Sequence, residues 1–207
     1  MQLFPRQLNF LALAVGVALL AAGGGLTFVV WYYFSPSNTQ VGYAPEQPVP
    51  YSHRLHVGQL GMDCRYCHVG VEKGAAASIP PTQTCMGCHA QVRSDSPQLE
   101  ALRTSWESGM PMEWVRVHQL PDHAFFDHSV HVSAGVGCVE CHGRIDQMEV
   151  VRQEEPLSMG WCLDCHRDPE PHLRPPDEVT NMTWEDEDWV ADAESVNPPE
   201  YCSGCHR

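Results

Sequence analysis

Residues 126–143 read FDHSVHVSAGVGCVECHG. Two histidines three residues apart, His128 and His131, are followed by Cys138 and Cys141, and His142 comes directly after the second cysteine. C-x-x-C-H is the attachment pattern of a c-type haem. Two thiols can close bonds onto the two vinyl groups of one porphyrin, while the adjoining imidazole reaches the iron.

The same pattern occurs five times: CRYCH at 64–68, CMGCH at 85–89, CVECH at 138–142, CLDCH at 162–166 and CSGCH at 202–206. The pairs Cys64/Cys67, Cys85/Cys88, Cys138/Cys141, Cys162/Cys165 and Cys202/Cys205 use all ten cysteines, so none remains for a disulfide or a lipid anchor. Structural zinc also takes Cys and His at short spacing, but it has no need of a histidine immediately after each second cysteine. The pattern predicts five covalently bound haem c groups, with His68, His89, His142, His166 and His206 as proximal iron ligands. Of the twelve histidines, His53, His56, His118, His123, His128, His131 and His172 remain for the opposite faces.

The formal charge is −14, from 26 acids against 12 bases. If ionised, ten haem propionates would add about ten more negative charges. Such a surface argues against nucleic acid and suits basic docking partners, or it simply keeps the chain soluble. The stretch 175–206 contains no Lys or Arg and is rich in Asp and Glu; it reads as a solvated loop or a face for a basic partner.

Residues 10–34 form an apolar run whose only polar member is Thr27. As a helix it would be about 37 Å long, enough to cross a bilayer. Trp31, Tyr32 and Tyr33 make an interfacial belt, and Arg6 supplies the positive charge before the helix. These features predict an uncleaved, single-pass signal anchor. Residues 1–9 would be cytoplasmic, and the haem domain would lie on the periplasmic (extracytoplasmic) side of the cytoplasmic membrane.

Residues 35–50 read as a stiff linker with Pro36, Pro45, Pro48 and Pro50. Residues 51–207 read as one haem domain containing an internal repeat, 51–89 and 126–166, with the fifth site, 202–206, appended. YSHRLH at 51–56 parallels FDHSVH at 126–131. With 17 prolines and 16 glycines, little regular secondary structure is expected. Short helices should form at the haem motifs and around residues 98–108.

On one helical turn, residues i and i+3 lie on adjoining faces, so an H-x-x-H can reach two irons and hold their macrocycles together. His128 would most simply cap the haem of Cys138 and Cys141, and His131 a haem from elsewhere; His53 and His56 would do likewise. The fifth iron needs one more ligand. His118, in WVRVHQL on a strand-like alternation, is favoured over His123 and His172, which sit in turns and read as solvated. Met110, Met112, Met159 and Met182 are rival ligands. An iron closed on both sides by protein passes electrons and leaves no vacancy for a substrate.

The H-x-x-H before C-x-x-C-H resembles the class III multihaem cytochromes, of the c3 and c7 types. More specifically, the N-terminal anchor, YSHRLHVGQLGMDCRYCH and RVHQLPDHAFFDHSVHVSAGVGCVECHGRIDQMEVV resemble the pentahaem membrane-anchored subunit of alternative complex III. The resemblance implies a c3/c7-like multihaem fold plus one transmembrane helix. It also implies a non-catalytic relay subunit within a quinol:acceptor oxidoreductase. The partners so implied are polytopic quinol-binding membrane subunits, a large iron–sulfur subunit and a monohaem cytochrome c. Two rival functions stand beside it. One is a self-sufficient membrane-anchored quinol dehydrogenase. The other, a multihaem reductase of a small nitrogen or sulfur compound, would want a C-x-x-C-K or a ligand-poor iron, and neither is visible.

Overall fold

The computed structural model describes residues 5–186, 188–192 and 196–207. Residues 1–4, the side chain of Arg6, and Glu187 and Glu194 of the acidic stretch lie outside the described residues. The chain divides into two compact units, Met1–Gln40 and Val41–Arg207.

The first unit is a 28-residue helix, α1 (Arg6–Tyr33), followed by one further helical turn, α2 (Pro36–Thr39). Residues Phe10–Tyr33 have a mean hydropathy of 2.2 and bury none of that surface within the chain, so this helix is long and apolar enough to cross a bilayer. Thr27, midway along the apolar run, is satisfied internally: its Oγ1 donates to the Gly23 carbonyl at 2.9 Å.

The second unit is a succession of short helices with no strands among the described residues; only two isolated bridges occur, Ala124–His206 and Val136–Leu173. After a π-helical turn, Arg54–Gln59, come α3 (Cys64–Cys67), α4 (Thr82–His89), α5 (Glu100–Ser108), α6 (His128–Ser133), α7 (Cys138–His142), α8 (Met159–Arg167) and α9 (Cys202–Cys205). The helix expected around 98–108 is α5, preceded by a 3-10 turn, Pro97–Leu99. Gly109 ends it in the left-handed region at φ +71°, a conformation in which a Cβ is strained. α5 buries Leu102 and Ser105, and its Ser105 hydroxyl meets Thr82 Oγ1 at 2.7 Å, fixing the start of α4.

The expected linker does not stay detached after Gln40. Gly42 N–H donates to Gln153 O at 2.7 Å, and Gln153 N–H returns the bond to Tyr43 O at 3.0 Å. Val49 is buried. The buried apolar side chains among the described residues are Val49, Leu102, Met148, Leu173, Val179 and Met182. Six are too few to organise a unit of this size by aliphatic packing. Its interior is arranged instead around cysteines and histidines carried on the short helices.

Candidate haem sites

Each C-x-x-C lies within a short helix, where residues i and i+3 share a face. Two of these five helices start at a side-chain cap. Asp63 accepts from Arg65 N–H at 2.8 Å ahead of α3, and Ser158 accepts from Trp161 N–H at 3.3 Å ahead of α8. The Arg65 guanidinium beside Asp63 holds its carboxyl down at about 2, and Thr180 adds a hydrogen bond at 2.8 Å. The last motif is pinned by Phe125 N–H to Cys205 O at 2.7 Å.

The imidazoles share one arrangement. Nδ1 of His68, His89, His166 and His206 meets the backbone oxygens of Ser78 (2.8 Å), Val92 (2.9 Å), Pro199 (2.8 Å) and His123 (3.2 Å). Nδ1 of His56, His128 and His131 likewise meets Ser52 O (2.8 Å), Ala75 O (2.7 Å) and Asp127 O (2.8 Å). A carbonyl can only accept, so in all seven rings the proton sits on Nδ1 and the Nε2 lone pair is left for a metal. Backbone carbonyls carry no residue-type signal, which is why the sequence could not announce these anchors.

The rings also pair. A metal–nitrogen bond of about 2 Å plus the half-width of the ring on each side puts two imidazoles trans to one metal roughly 6 Å apart, centre to centre. His56 lies 6.1 Å from His89, His131 6.2 Å from His166, and His128 6.5 Å from His142, the last pair with planes within 7° of parallel. The sequence reading sends His131 to a haem other than that of Cys138 and Cys141, without saying which; here it faces His166 of the next motif. His53 sits beside His68: burial first, then the neighbouring His68 and His56, bring it down to about 4. Its Nδ1 is buried without a hydrogen-bond partner. Burial, with His118 and His128 alongside, brings His142 down to about 3, so both rings are neutral and fit for metal binding. This donor set fits c-type haem.

His118, favoured from the sequence as the ligand of the fifth iron, lies against His142. The segment before it forms no strand; Gln47 acts as a one-residue partner, accepting from Val115 N–H at 3.0 Å and donating to Val115 O at 2.9 Å. His118 thereby meets His142, with ring centres 4.4 Å apart and planes at 82°. His118 Nε2 lies 3.3 Å from His142 Nδ1. Nor is His172 merely solvated. Its Nδ1 donates to Glu140 Oε2 at 2.7 Å, while Arg174, 6% exposed, donates to Glu140 Oε1 at 2.6 Å and to Asn181 O at 3.1 Å. Arg174 also stacks its guanidinium over Trp184 at 5.6 Å. Gly137 makes room for it, since a Cβ there would run into the guanidinium. Buried Arg174 and half-buried Glu140 together lock the 170–181 segment onto the CVECH helix.

Sequence reasoning passed over two aromatic side chains. Tyr51 stacks on His56 at 4.4 Å and stands edge-on to His53 at 4.8 Å. Phe126 does the same for His131 at 4.5 Å and His128 at 4.8 Å. The signal was present: an aromatic residue two positions before each H-x-x-H.

The motifs adjoin one another. Burial pushes the Cys67 thiol up, and the Cys85 and Cys64 thiols beside it push the same way. Cys64 donates a hydrogen bond to Cys138, raising its own thiol and lowering its partner's. Burial pushes Cys141 up to about 12, aided by Cys165. Cys162 is raised by burial and then by Cys205. The thiols therefore neighbour one another in the motif order 85–89, 64–68, 138–142, 162–166, 202–206.

Cys88 and Cys202 depart from the sheltered setting that ten equivalent attachment thiols would share. Both are exposed, whereas the other eight cysteines are half-buried. Each belongs to a motif at one end of the thiol order, where a neighbouring motif covers the helix on one side only. Cys88 is nonetheless fixed at its backbone: its carbonyl accepts from Gln91 N–H at 3.0 Å and Val92 N–H at 2.9 Å, closing the last turn of α4. Protein packing thus shelters Cys85 of that pair but not Cys88, a difference that the shared C-x-x-C-H spacing does not carry.

Residues 124–207 match the family described as cytochrome c7 and related cytochrome c. A curated relative, the multiheme cytochrome c subunit of a menaquinone reductase from Nitratidesulfovibrio vulgaris strain Hildenborough, is 36% identical over 98 residues. The match covers 47% of this chain and 46% of the relative, so the chain spans about half the length of that protein. The fold is c7-like and multihaem: short helices, no strands among the described residues, and one N-terminal apolar helix.

Proposed function

We propose that the chain is the membrane-anchored electron relay of a quinol-oxidising complex of the alternative complex III kind. Electrons from a polytopic quinol-binding subunit would pass to a cytochrome c or another extracytoplasmic acceptor. Five cysteine pairs would hold five haem c groups, with the exposed Cys88 and Cys202 tethering the two at the ends. His68, His89, His142, His166 and His206 would serve as proximal ligands, with His53, His56, His128 and His131 opposite the first four. When bound, the haems supply one-electron redox chemistry.

The observation that carries this reading is the set of imidazole pairs at 6.1–6.5 Å, each ring but His142 held at Nδ1 by a backbone carbonyl. Such pairs would hold a haem iron between two imidazoles and leave it no vacancy for a substrate. What the protein then does is fix distances and orientations, exclude water and keep the ligand rings neutral. The thiol adjacency supports a linear path with the 85–89 and 202–206 sites at its ends. The relative's description as a menaquinone reductase subunit supports a quinone-linked complex, and the apolar helix supports membrane anchoring.

The test is low-temperature EPR during a redox titration of the full chain in detergent. Low-spin irons that bind no carbon monoxide are expected at the four sites with a facing histidine, those of His68, His89, His142 and His166, with no quinol oxidation by the chain alone. Steady quinol turnover by the isolated chain would favour the self-sufficient quinol dehydrogenase. A ligand-accessible iron at any of those four sites would overturn the relay altogether.

A further inference from the structure

We propose that His118 is a positioning residue for His142, its Nε2 accepting the Nδ1–H of that imidazole, and not an axial ligand of the fifth iron. This rests on the multihaem reading and deepens it at one site.

The seven rings described above each give their Nδ1–H to a backbone carbonyl. Of the two remaining assigned ligand rings, His53 has no partner at Nδ1, and the atom facing the Nδ1 of His142 is His118 Nε2, at 3.3 Å. One sp2 lone pair cannot accept that proton and bind a metal at once. Nor can the two rings share an iron. Their centres are 4.4 Å apart, far inside the roughly 6 Å that two trans imidazoles need. The place across from His142 is taken by His128, at 6.5 Å and nearly parallel. His118 is itself fixed by the Gln47–Val115 pair of hydrogen bonds three residues upstream. It therefore holds a set orientation behind the ligand ring.

Two consequences follow for His142. A ring held at Nδ1 cannot rotate about its Cβ–Cγ bond, so His118 keeps its plane parallel to that of His128. An imidazole nitrogen is also a stronger acceptor than an amide carbonyl. It makes His142 the more basic ligand and biases the haem of Cys138 and Cys141 toward a lower potential than a carbonyl anchor would.

The experiment compares the full chain, matured with haem and purified in detergent, with its H118L and H118Q variants. Haem content, EPR and the individual midpoint potentials are read for each. In H118L every iron should keep its wild-type spin state, with one midpoint potential raised and one low-spin signal altered in its g-values. H118Q, which offers an amide oxygen to His142, should restore both toward wild type. A new high-spin iron or carbon monoxide binding in H118Q would make His118 an axial ligand and overturn the proposal. H118Q is decisive even where H118L fails to mature. Potentials and spectra unchanged in H118L would also overturn it. Fewer than five haems in the wild-type chain would instead strike the five-haem reading, leaving the His118–His142 contact to be judged by the variants.

Discussion

In the second repeat the H-x-x-H begins an α-helix, α6, whose Asp127 cap accepts from Ser129 N–H at 2.9 Å. In the first repeat the equivalent pair sits on a π-helical turn, with His53 at its head and no side-chain cap. The spacing explains the difference. His128 to Cys138 is 138 − 128 = 10 residues, whereas His53 to Cys64 is 64 − 53 = 11. A π turn accommodates one inserted residue while returning the chain to the same exit. The outcome is the same in both forms: His56 faces His89 at 6.1 Å, and His131 faces His166 at 6.2 Å. The aromatic residue ahead of each pair stacks on the second histidine in both repeats. What the two repeats hold in common is thus the ring geometry, and the helix type yields to it.

The sharpest test of that equivalence removes a distal ring. H56A and H131A should each convert one low-spin iron to high spin and open one carbon monoxide site per chain, read by EPR and by difference spectra. An effect confined to one variant would break the functional symmetry. Next come the close approaches that dock each unit. Gly135 lies at φ +88°, and a Cβ there would also meet the Arg174 carbonyl. Gly135→Ala should cost about 2–4 kcal/mol. In the first repeat a Cβ at Gly58 would strike the Asp146 carbonyl without the positive φ. Gly58→Ala should cost about 1–3 kcal/mol and lower Tm less.

A smaller effect is expected at the caps of the second haem motif in each repeat. α8 has the Ser158 cap, while α4 begins after Pro81 with none. Ser158→Ala should lower stability by about 1 kcal/mol in thermal unfolding. The smallest prediction concerns acid. The first repeat has Asp63 before its cysteine pair where the second has Gly137. Asp63 titrates at about 2 in the fold against an ordinary 3.8, so its contribution is present above about 4 and is lost as pH falls through about 2. Wild type should melt above Asp63→Asn near neutral pH, and the two melting temperatures should converge in acid.

Much of this was legible in the residues. Spacing announced the haem motifs, because two thiols and an imidazole must reach one porphyrin from one short helix. The matched H-x-x-H segments pointed to shared geometry. Spacing did not separate the exposed Cys88 from its half-buried partner Cys85, because shelter depends on which other motif packs alongside. The contact of His118 with His142 was not legible, because position along a chain does not say which of two nitrogens a ring presents, or to what. The strand expected around it gave way because its hydrogen-bonding partner is a single side chain, Gln47, and not another strand. His172 was read as solvated because its partner, Glu140, lies 32 residues away and is held by a buried arginine.

From the chain's letters alone came the number of attachment motifs, the repeat and the apolar helix, since each depends only on residue type at fixed local spacing. Which imidazole faces which, and what holds each ring at Nδ1, was decided by the tertiary fold. Those relations run through backbone carbonyls and distant segments, and a carbonyl is the same atom in every residue.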